Sequence, residues 1–260
     1  MKIKKIGIIG GTHGIGQSFA KYFSKKFKDK ITIYVSGRKT KITNKFIVQN
    51  CDLVIFSVPI FATEKVITEM SEFSKKGQIW TDFTSIKQIP INAMLKSKAQ
   101  VCGLHPMFGP KKNITGDKIV FCPERISAKN LEQLKNIFED FEIVTSNPTE
   151  HDKAMQIVQG ISHFSDLVTG GAIKNSKISS SKLIKFSSPS YKLKFEVLGR
   201  MFAQNPDLYA QIIIENHQAV ETYFRTLTEL KTLIDKKDNK ALSKEFSNIA
   251  NFLGKEFCET

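Results

Sequence analysis

The first part of the chain alternates short apolar segments with segments that have a helical pattern. The apolar segments are rich in Ile, Val and Phe, which favour strands; they read KKIGIIG, ITIYVSG, DLVIFSV, QIWTDFT, AQVCGLH, DKIVFCP and EIVTS. Helical patterns occupy residues 16–27, 63–74 and 128–140 between them. Apolar strands that alternate with helices are typical of a parallel sheet covered by helices on both faces. We therefore predict a doubly wound α/β domain over residues 1–147.

Beyond this domain the strand signal disappears and only helical patterns remain. The sequence NPTEH supplies Asn147 as an N-cap and Pro148 at the first helical position, which is a strong helix start. A later Ser-Pro and Asn-Pro open two further helices, and the second of these should run without a break over residues 206–235. We predict an all-helical domain over residues 148–260. Because a long amphipathic helix often packs against a copy of itself, we also expect a homodimer.

Composition and charge narrow the class of protein. The 260 residues are 41% hydrophobic and 25% charged, with a formal net charge of +14. The lysines are scattered and no basic stripe with interleaved aromatic residues occurs, so we expect a solvated surface and no nucleic-acid partner. The longest apolar run, residues 53–62, is about half the length of a membrane span, and MKIKKIGIIGG is too short in its apolar part for a signal peptide. We expect a cytoplasmic protein that does not bind membranes.

The cysteines carry little sign of a cross-linked or metal-bound structure. Cys51, Cys102, Cys122 and Cys258 include no C-x-x-C pair and lie mostly in strand-like apolar segments. This spacing argues against a disulfide framework and against a zinc site. We therefore expect free thiols in a reducing compartment, and no metal.

The loop after the first predicted strand is rich in glycine. In IGIIGGTHGIGQSF, Gly10, Gly14 and Gly16 fit the spacing G-x-x-x-G-x-G, and Gly11 with Gly16 fits part of G-x-G-x-x-G. Between a strand and a helix, such a loop lets the backbone approach a pyrophosphate, whose charge the helix N-terminus stabilises. This pattern indicates a Rossmann-type sheet. The residues that we expect to bind the dinucleotide are Gly10, Gly11, Thr12, His13, Gly14, Ile15 and Gly16.

The end of the second predicted strand, YVSGRKT, bears on the choice of dinucleotide. NAD sites usually have a carboxylate there for the ribose hydroxyls, whereas an arginine suits the 2′-phosphate of NADP. Ser36, Arg38 and Lys39 offer a hydroxyl and two positive charges without a carboxylate. We expect NADP to be preferred, with NAD still possible. The alternative is that Arg38 is only a residue of a surface turn.

The segment VCGLHPMFGP, residues 101–110, places a histidine on a rigid turn at the end of an apolar strand. Pro106 disfavours helical geometry at His105, and Gly109 and Pro110 break any regular element after it. In open α/β sheets ligands bind at the carboxyl ends of strands, where this histidine should emerge. From the residues alone, His105 is either a group that acts on a ligand or a hydrogen-bonded loop residue.

Six segments in order carry a family resemblance. They are DLVIFSVPIFATEKVI, TDFTSIK, GLHPMFGP, EHDKAMQIVQGISHF, SSPSYKL and VLGRMFAQNPDLYAQII, of which GLHPMFGP is the most specific. Together they resemble the prephenate/arogenate dehydrogenases of tyrosine biosynthesis, from the glycine loop to about residue 225. The resemblance implies oxidative decarboxylation of prephenate to 4-hydroxyphenylpyruvate. Many members carry a chorismate mutase segment or a regulatory domain, for which 260 residues leave no room, so we expect no tyrosine feedback through an appended domain.

The resemblance also implies roles for individual residues. His105 is implied as the neutral base that takes the proton of the substrate's 4-hydroxyl, which suits an imidazole at cellular pH, and Ser85 as support for that hydroxyl. Arg200 is implied to bind a substrate carboxylate and His163 the side-chain end of the substrate. We expect His151 only to cap or pair near the start of its helix. The remaining implied positions are Lys87, Lys192 and Tyr209 in the substrate pocket, and Ser57, Val58 and Pro59 beside the cofactor.

Other functions stay open. Arogenate carries an amine in place of the keto group of prephenate, and no acidic residue is obviously placed to bind that amine, which favours prephenate. A non-catalytic NADP-binding sensor can use the same fold, but it would not need His105, His163 and Arg200 together. A basic protein on this fold that binds nucleic acid is a further alternative, and it would show salt-sensitive retention on DNA.

Overall fold

The computed structural model describes residues 2–254 and contains one seven-stranded sheet. Its strands are β1 (Lys5–Ile9), β2 (Thr32–Ser36), β3 (Leu53–Phe56), β4 (Ile79–Asp82), β5 (Gln100–Pro106), β6 (Lys118–Arg125) and β7 (Glu142–Thr145). Their order is β2-β1-β3-β4-β5-β6-β7. All neighbouring pairs are parallel except β5 with β6, which are antiparallel. The predicted strands are confirmed, and the antiparallel pair is a departure from the fully parallel sheet that we expected.

Within residues 2–254, twelve α-helices surround and follow the sheet. They are α1 (Gly14–Phe27), α2 (Asn44–Asn50), α3 (Ile60–Ser71), α4 (Gln88–Leu95), α5 (Ala128–Ile137), α6 (Pro148–Met155), α7 (Ser162–Ser176), α8 (Ser180–Lys185), α9 (Pro189–Phe202), α10 (Pro206–Glu215), α11 (His217–Asp235) and α12 (Asn239–Leu253). A π-helical segment, Gln156–Ile161, joins α6 to α7. The pattern predicted α1, α3 and α5 but not α2 and α4, whose 7 and 8 residues are fewer than the roughly 11 over which a helical repeat is read.

The sheet has an apolar core on each face. Side chains alternate between the faces along a strand, so Ile8 of β1 packs with α1 and α5, whereas Ile9 packs with α2, α3 and α4. On the first face Phe19 and Phe138 are fully buried, and on the second face Trp80 is fully buried. The predicted doubly wound domain, followed by helices, is confirmed.

The helical half of the chain contributes little core of its own. Among the described residues beyond 155, the buried apolar side chains are Leu198, Ile212 and Ala219. Large apolar side chains are instead exposed; they include Ile157, Leu193, Phe202, Ile214, Phe246 and Phe252. An apolar surface of this extent on a set of helices indicates an interaction face.

The helix predicted over residues 206–235 is wrong, because the chain forms two helices that meet at Asn216. The backbone of Asn216 leaves helical geometry at φ −106° and ψ 31°. Its side-chain amide donates a hydrogen bond to the carbonyl of Ile212 at 2.7 Å. An asparagine side chain that bonds to the backbone in this way competes with regular helix, which the apolar periodicity does not report.

Within residues 2–254, none of the helices combines the length and the hydropathy that crossing a bilayer requires.

Cys51, Cys102 and Cys122 are free and buried. Burial raises the pKa of the Cys51 and Cys122 thiols to about 12, so both stay protonated and unreactive at neutral pH. Cys258 lies outside the described residues.

Arg125, at the end of β6, holds the C-terminal end of α4. Its guanidinium donates to the carbonyl oxygens of Leu95, Ser97 and Ala99 at 2.7 to 3.2 Å. The last carbonyls of a helix have no partner within the helix, and a cation there is also favoured by the helix dipole. The contact fixes α4, whose N-terminal end is bound by the carboxylate of Asp152 from α6.

We expect Arg125→Met to lower the free energy of unfolding by about 1–3 kcal/mol, because it leaves these carbonyls without their charged donor. Lys129→Met removes a positive charge from the exposed start of α5 and should change stability by less than about 0.5 kcal/mol. Denaturant unfolding of both variants measures the difference. Equal losses would contradict a specific role for Arg125.

Candidate active site

The glycine loop lies at the carboxyl end of β1 and closes tightly on the chain after β3. Gly10 and Gly14 have φ values of +82° and +58°, which L side chains rarely adopt. A Cβ on Gly10 would also clash with the carbonyl of Ser57. Within the described residues no side chain caps α1: His13, at the N-cap, contacts Thr12 instead, at 2.9 Å. The free amides of the first turn can therefore bind a pyrophosphate.

The other predicted cofactor residues border the same loop. A Cβ on Gly16 would lie 2.7 Å from Ser57 Oγ, and Val58 packs against Gly10. Pro59 is exposed immediately before α3. Gly11 packs against β1 and β2, and Ile15 turns its side chain toward the core. These two residues can serve a ligand only through their backbone.

The turn after β2 differs in part from the prediction. Ser36 is buried, and its hydroxyl donates to Asn44 Oδ1 at 2.7 Å, so it does not offer a group to a phosphate. Arg38 and Lys39 are exposed in the turn. The turn adjoins the glycine loop, since a Cβ on Gly37 would lie 2.7 Å from the hydroxyl of Thr12. The two cations therefore lie beside the loop without Ser36.

His105 lies near the end of β5 and is only 4% exposed. Its Nδ1 is 2.9 Å from Nε2 of His151, and its Nε2 is 3.5 Å from the amide nitrogen of Gln159. Burial, the ammonium of Lys87 and the neighbouring imidazole of His151 hold the pKa of His105 well below its usual 6.5. The ring is therefore neutral at neutral pH and able to accept a proton.

His151 is part of this site, contrary to the expectation that it only caps its helix. Its Nδ1 is 2.8 Å from Oδ1 of Asp152. The carboxylate of Asp152 also accepts the backbone amides of Lys87, at 2.7 Å, and Gln88, at 2.9 Å. Burial alone would raise the pKa of Asp152, but hydrogen bonds from His151, Gln88 and Lys87 outweigh it and the pKa is lowered. The adjacent His151 and Asp152 in EHDKAM were the signal in the sequence that could have indicated this role. The sequence did not show that His151 would contact His105.

Lys87 does not line the pocket as predicted, because its side chain is fully buried. The ammonium pairs with Asp82, which is also fully buried, and donates to the carbonyl of Leu104 at 2.8 Å. A buried cation needs a counter-ion and hydrogen bonds, and Asp82 and Leu104 supply them. Lys87 thus acts on His105 through its charge and not by contact with a ligand. Ser85 is buried in the same loop, after β4.

A second group of polar side chains comes from α7, α9 and α10. The ring of His163 packs edge-on against that of Tyr209, with centroids 4.6 Å apart. Burial lowers the pKa of His163, and the nearby carboxylate of Asp166 opposes the shift. Burial raises the pKa of Tyr209, and the charge of Arg200 opposes it. The guanidinium of Arg200 is therefore within electrostatic range of this pair.

Gln159 and the loop after β5 connect the two groups. Gln159 lies in the π-helical segment, a form frequent at functional sites, four residues before His163. Its Oε1 is buried and has no hydrogen-bond partner among the described residues, so it can accept from a ligand. A Cβ on Gly14 would lie 4.0 Å from Pro110, and one on Gly109 would lie 3.7 Å from Gln204 of the segment after α9.

The site thus has a glycine loop on one side, the His105 strand in the middle and the Arg200 helix on the other. Lys192 is exposed on α9, and within residues 2–254 no contact joins it to His105 or His163. The same residues contain no group of three or more His, Cys, Asp or Glu arranged to hold a metal ion.

Two family models match the chain. Residues 35–146 match the nucleotide-binding domain of prephenate dehydrogenase, and residues 147–248 match its dimerization domain. A probable arogenate/prephenate dehydrogenase of Methanocaldococcus jannaschii is 32% identical over 276 residues, which cover 96% of this chain and 61% of the relative. The T-protein of Haemophilus influenzae is 32% identical over 260 residues, which cover 97% of this chain and 68% of that protein. The chain therefore spans less than two thirds of the archaeal relative.

Two solved structures share the fold over nearly their whole length. The prephenate dehydrogenase of A. aeolicus, in complex with hydroxyphenyl propionate and NAD+, superposes with a TM-score of 0.70 at 20% identity and covers 96% of each chain. The arogenate dehydrogenase of Synechocystis has a TM-score of 0.67 at 19% identity and covers 94% of this chain and 96% of its own. At these identities the likeness concerns the fold.

We expect Lys87→Met to lower the free energy of unfolding by about 3–5 kcal/mol, because it leaves the buried carboxylate of Asp82 without a counter-ion. The double variant Lys87→Met/Asp82→Asn removes both charges and should recover part of that loss. Denaturant unfolding of the single and double variants gives the coupling energy of the pair. Additive losses would show that the two side chains do not depend on each other.

Proposed function

We propose that this chain, which belongs to the prephenate dehydrogenase family, catalyses the NAD(P)-dependent oxidative decarboxylation of prephenate to 4-hydroxyphenylpyruvate. The observation that carries the proposal is the neutral, buried imidazole of His105 between the glycine loop and the group around Arg200. A base that is uncharged at cellular pH is what the removal of a hydroxyl proton needs.

The chemistry uses few protein groups. A bound oxidised nicotinamide supplies the acceptor for the hydride of the carbon that bears the 4-hydroxyl. His105 accepts the hydroxyl proton at Nε2 while the hydride departs. The ring carboxylate then leaves as CO2, and its bonding electron pair makes the ring aromatic. His105 returns the proton to the resulting phenolate oxygen, so the reaction releases no net proton. Ser85, in the loop after β4, supports the 4-hydroxyl.

The substrate end of the site suits an anion. Prephenate carries two carboxylates, and the guanidinium of Arg200 can bind one of them in bidentate fashion. His163 and Tyr209, whose rings are in contact, bind the side-chain end. Lys192, exposed on the same helix as Arg200, adds positive charge at the approach to the site.

Arogenate dehydrogenase is the second candidate, and Asp166 is the residue that bears on it. Its carboxylate acts on the pKa of His163 and of Tyr209, so an acidic group lies at the side-chain end of the site. The sequence pattern had shown no such group. The positively charged amine of arogenate would pair with this carboxylate, whereas the keto group of prephenate would not.

For the cofactor we propose a preference for NADP over NAD. Arg38 and Lys39 are exposed in the turn that adjoins the glycine loop, where the 2′-phosphate of NADP would lie. The glycine loop itself suits a dinucleotide: Gly10 and Gly14 have positive φ values that let the backbone turn at the end of β1, and no side chain among the described residues caps the amides at the start of α1.

We also propose a homodimer formed by the helical domain, with the domain boundary between residues 147 and 148. The support is the exposed apolar surface of α7 to α12 and the dimerization domain described for the matching family model. The free, buried thiols and the biosynthetic reaction support a cytoplasmic location.

The proposal is tested by assaying each of prephenate and arogenate with each of NADP and NAD, with the reduction of the nicotinamide measured by its absorbance.

His105→Asn should lower kcat by roughly a hundredfold or more and leave dinucleotide binding unchanged. Because its pKa lies well below 6.5, kcat/KM of the wild-type protein should stay level as the pH decreases through 6.5. His217→Asn, at the exposed start of α11, is the matched control. The proposal fails if neither substrate is turned over.

Arg38→Ala should raise the KM for NADP by about tenfold or more and leave the KM for NAD nearly unchanged, since only NADP presents a phosphate at this turn. Initial rates at saturating substrate measure both constants. Lys28→Ala, which removes a positive charge just after α1, is the control. Equal losses with both dinucleotides would remove Arg38 from the phosphate site.

A further inference from the structure

Three side chains form a continuous chain of hydrogen bonds that ends at His105. Asp152 Oδ1 is 2.8 Å from His151 Nδ1, and His151 Nε2 is 2.9 Å from His105 Nδ1. Nε2 of His105 is the nitrogen at the open end of this chain. Its contact with the amide nitrogen of Gln159 is long, at 3.5 Å, and a ligand hydroxyl can replace it.

The carboxylate determines the direction of every bond in the chain. An ionised carboxylate can only accept, so Nδ1 of His151 must carry a proton and donate it to Asp152. A neutral imidazole has one N–H, so Nε2 of His151 accepts. The donor to it is Nδ1 of His105, which leaves Nε2 of His105 without a proton. The tautomer of His105 thus follows from the charge of a residue that it does not touch.

Asp152 is itself held in place by the protein backbone. It accepts the amides of Lys87 and Gln88 at the start of α4, at 2.7 and 2.9 Å, in addition to the imidazole. These bonds keep the carboxylate ionised and prevent its rotation away from His151. We call the hydrogen-bonded series Asp152, His151 and His105 the relay. It is anchored to α4, although Asp152 and His151 belong to α6.

We propose that Asp152 and His151 are positioning residues that fix His105 in the tautomer whose unprotonated Nε2 faces the substrate hydroxyl. The inference rests on the proposed function, since it states how the base of that reaction is prepared. When His105 accepts the hydroxyl proton at Nε2, its Nδ1 keeps its own proton and the bond to His151 strengthens. No proton needs to leave the chain before it returns to the phenolate.

Other charged groups that face the relay act in the same direction. Lys87, with its counter-ion Asp82, approaches His105 from the loop between β4 and α4 and disfavours a positive charge on the imidazole. A proton added to His151 would reverse the bond between the two rings and place a proton on Nε2 of His105.

Histidine-selective 15N NMR of the full chain, together with kinetics, tests the inference. In the wild-type protein we expect a proton on Nδ1 of His105 and none on Nε2. Asp152→Leu removes the oxygen that accepts the proton on Nδ1 of His151, so nothing fixes the tautomer of either ring. We expect Nε2 of His105 to become protonated in a measurable fraction of the protein and kcat to fall roughly 10²- to 10⁴-fold, with little change in the KM of the substrate.

Two further variants separate positioning from folding. His151→Gln keeps an acceptor for Nδ1 of His105 and should retain the wild-type tautomer and part of the activity, whereas His151→Leu should lose both. Glu150→Gln, which removes a carboxylate from the same helical turn, should leave the tautomer and kcat unchanged. An unchanged tautomer in Asp152→Leu, or equal behaviour of the two His151 variants, would overturn the inference.

The two proposals fail in distinguishable ways. If the wild-type protein turns over neither prephenate nor arogenate, the proposed function fails, and the NMR spectra of the same variants still decide whether the relay sets the tautomer. If turnover occurs and Asp152→Leu keeps both its rate and its tautomer, the proposed function stands and the relay is refuted.

Discussion

The carboxylate of Asp152 joins the two halves of the molecule. It belongs to the first helix of the helical half, and it binds the backbone at the start of α4, which packs on the sheet. The same oxygen atoms orient His151, and through it His105. This carboxylate is therefore one contact that holds the helical half against the sheet, beside the apolar packing of Ile212 on Ile60 and Ile86. Because an ionised carboxylate with several donors is rigid, the geometry of the site inherits that rigidity.

A buried pair of opposite charges, Lys87 and Asp82, lies inside the protein close to His105. Lys87 and Asp82 are both fully buried, and such a pair costs desolvation energy that apolar side chains would not. Burial is the largest cause of the lowered pKa of His105, and the charge of Lys87 lowers it further. The buried pair thus contributes to the protonation state of His105 at a cost in stability.

The alternating apolar segments predicted the strands and both faces of the core, and six short segments predicted the family, which the comparisons confirm. Periodicity could not show that Lys87 and Ser36 turn inward, because a repeat of apolar positions does not record which polar partner a side chain meets in the folded chain. Asp82 and Asn44, five and eight positions away, are those partners. The same limit hid His151, whose contact with His105 spans 46 positions. The break at Asn216 was missed for a different reason: it depends on a polar side chain within an apolar pattern.

The helices that carry His163, Arg200 and Tyr209 bury very few apolar side chains within one copy of the chain. Their mutual arrangement must then draw much of its stability from whatever covers the exposed apolar face. In a homodimer, that cover is supplied by mass action, so the integrity of the substrate end would depend on how much protein is present. At low protein concentration the helices of the substrate end would lose their stabilising contacts first. The sheet, which has a complete core on each face, would keep its structure and its ability to bind the dinucleotide.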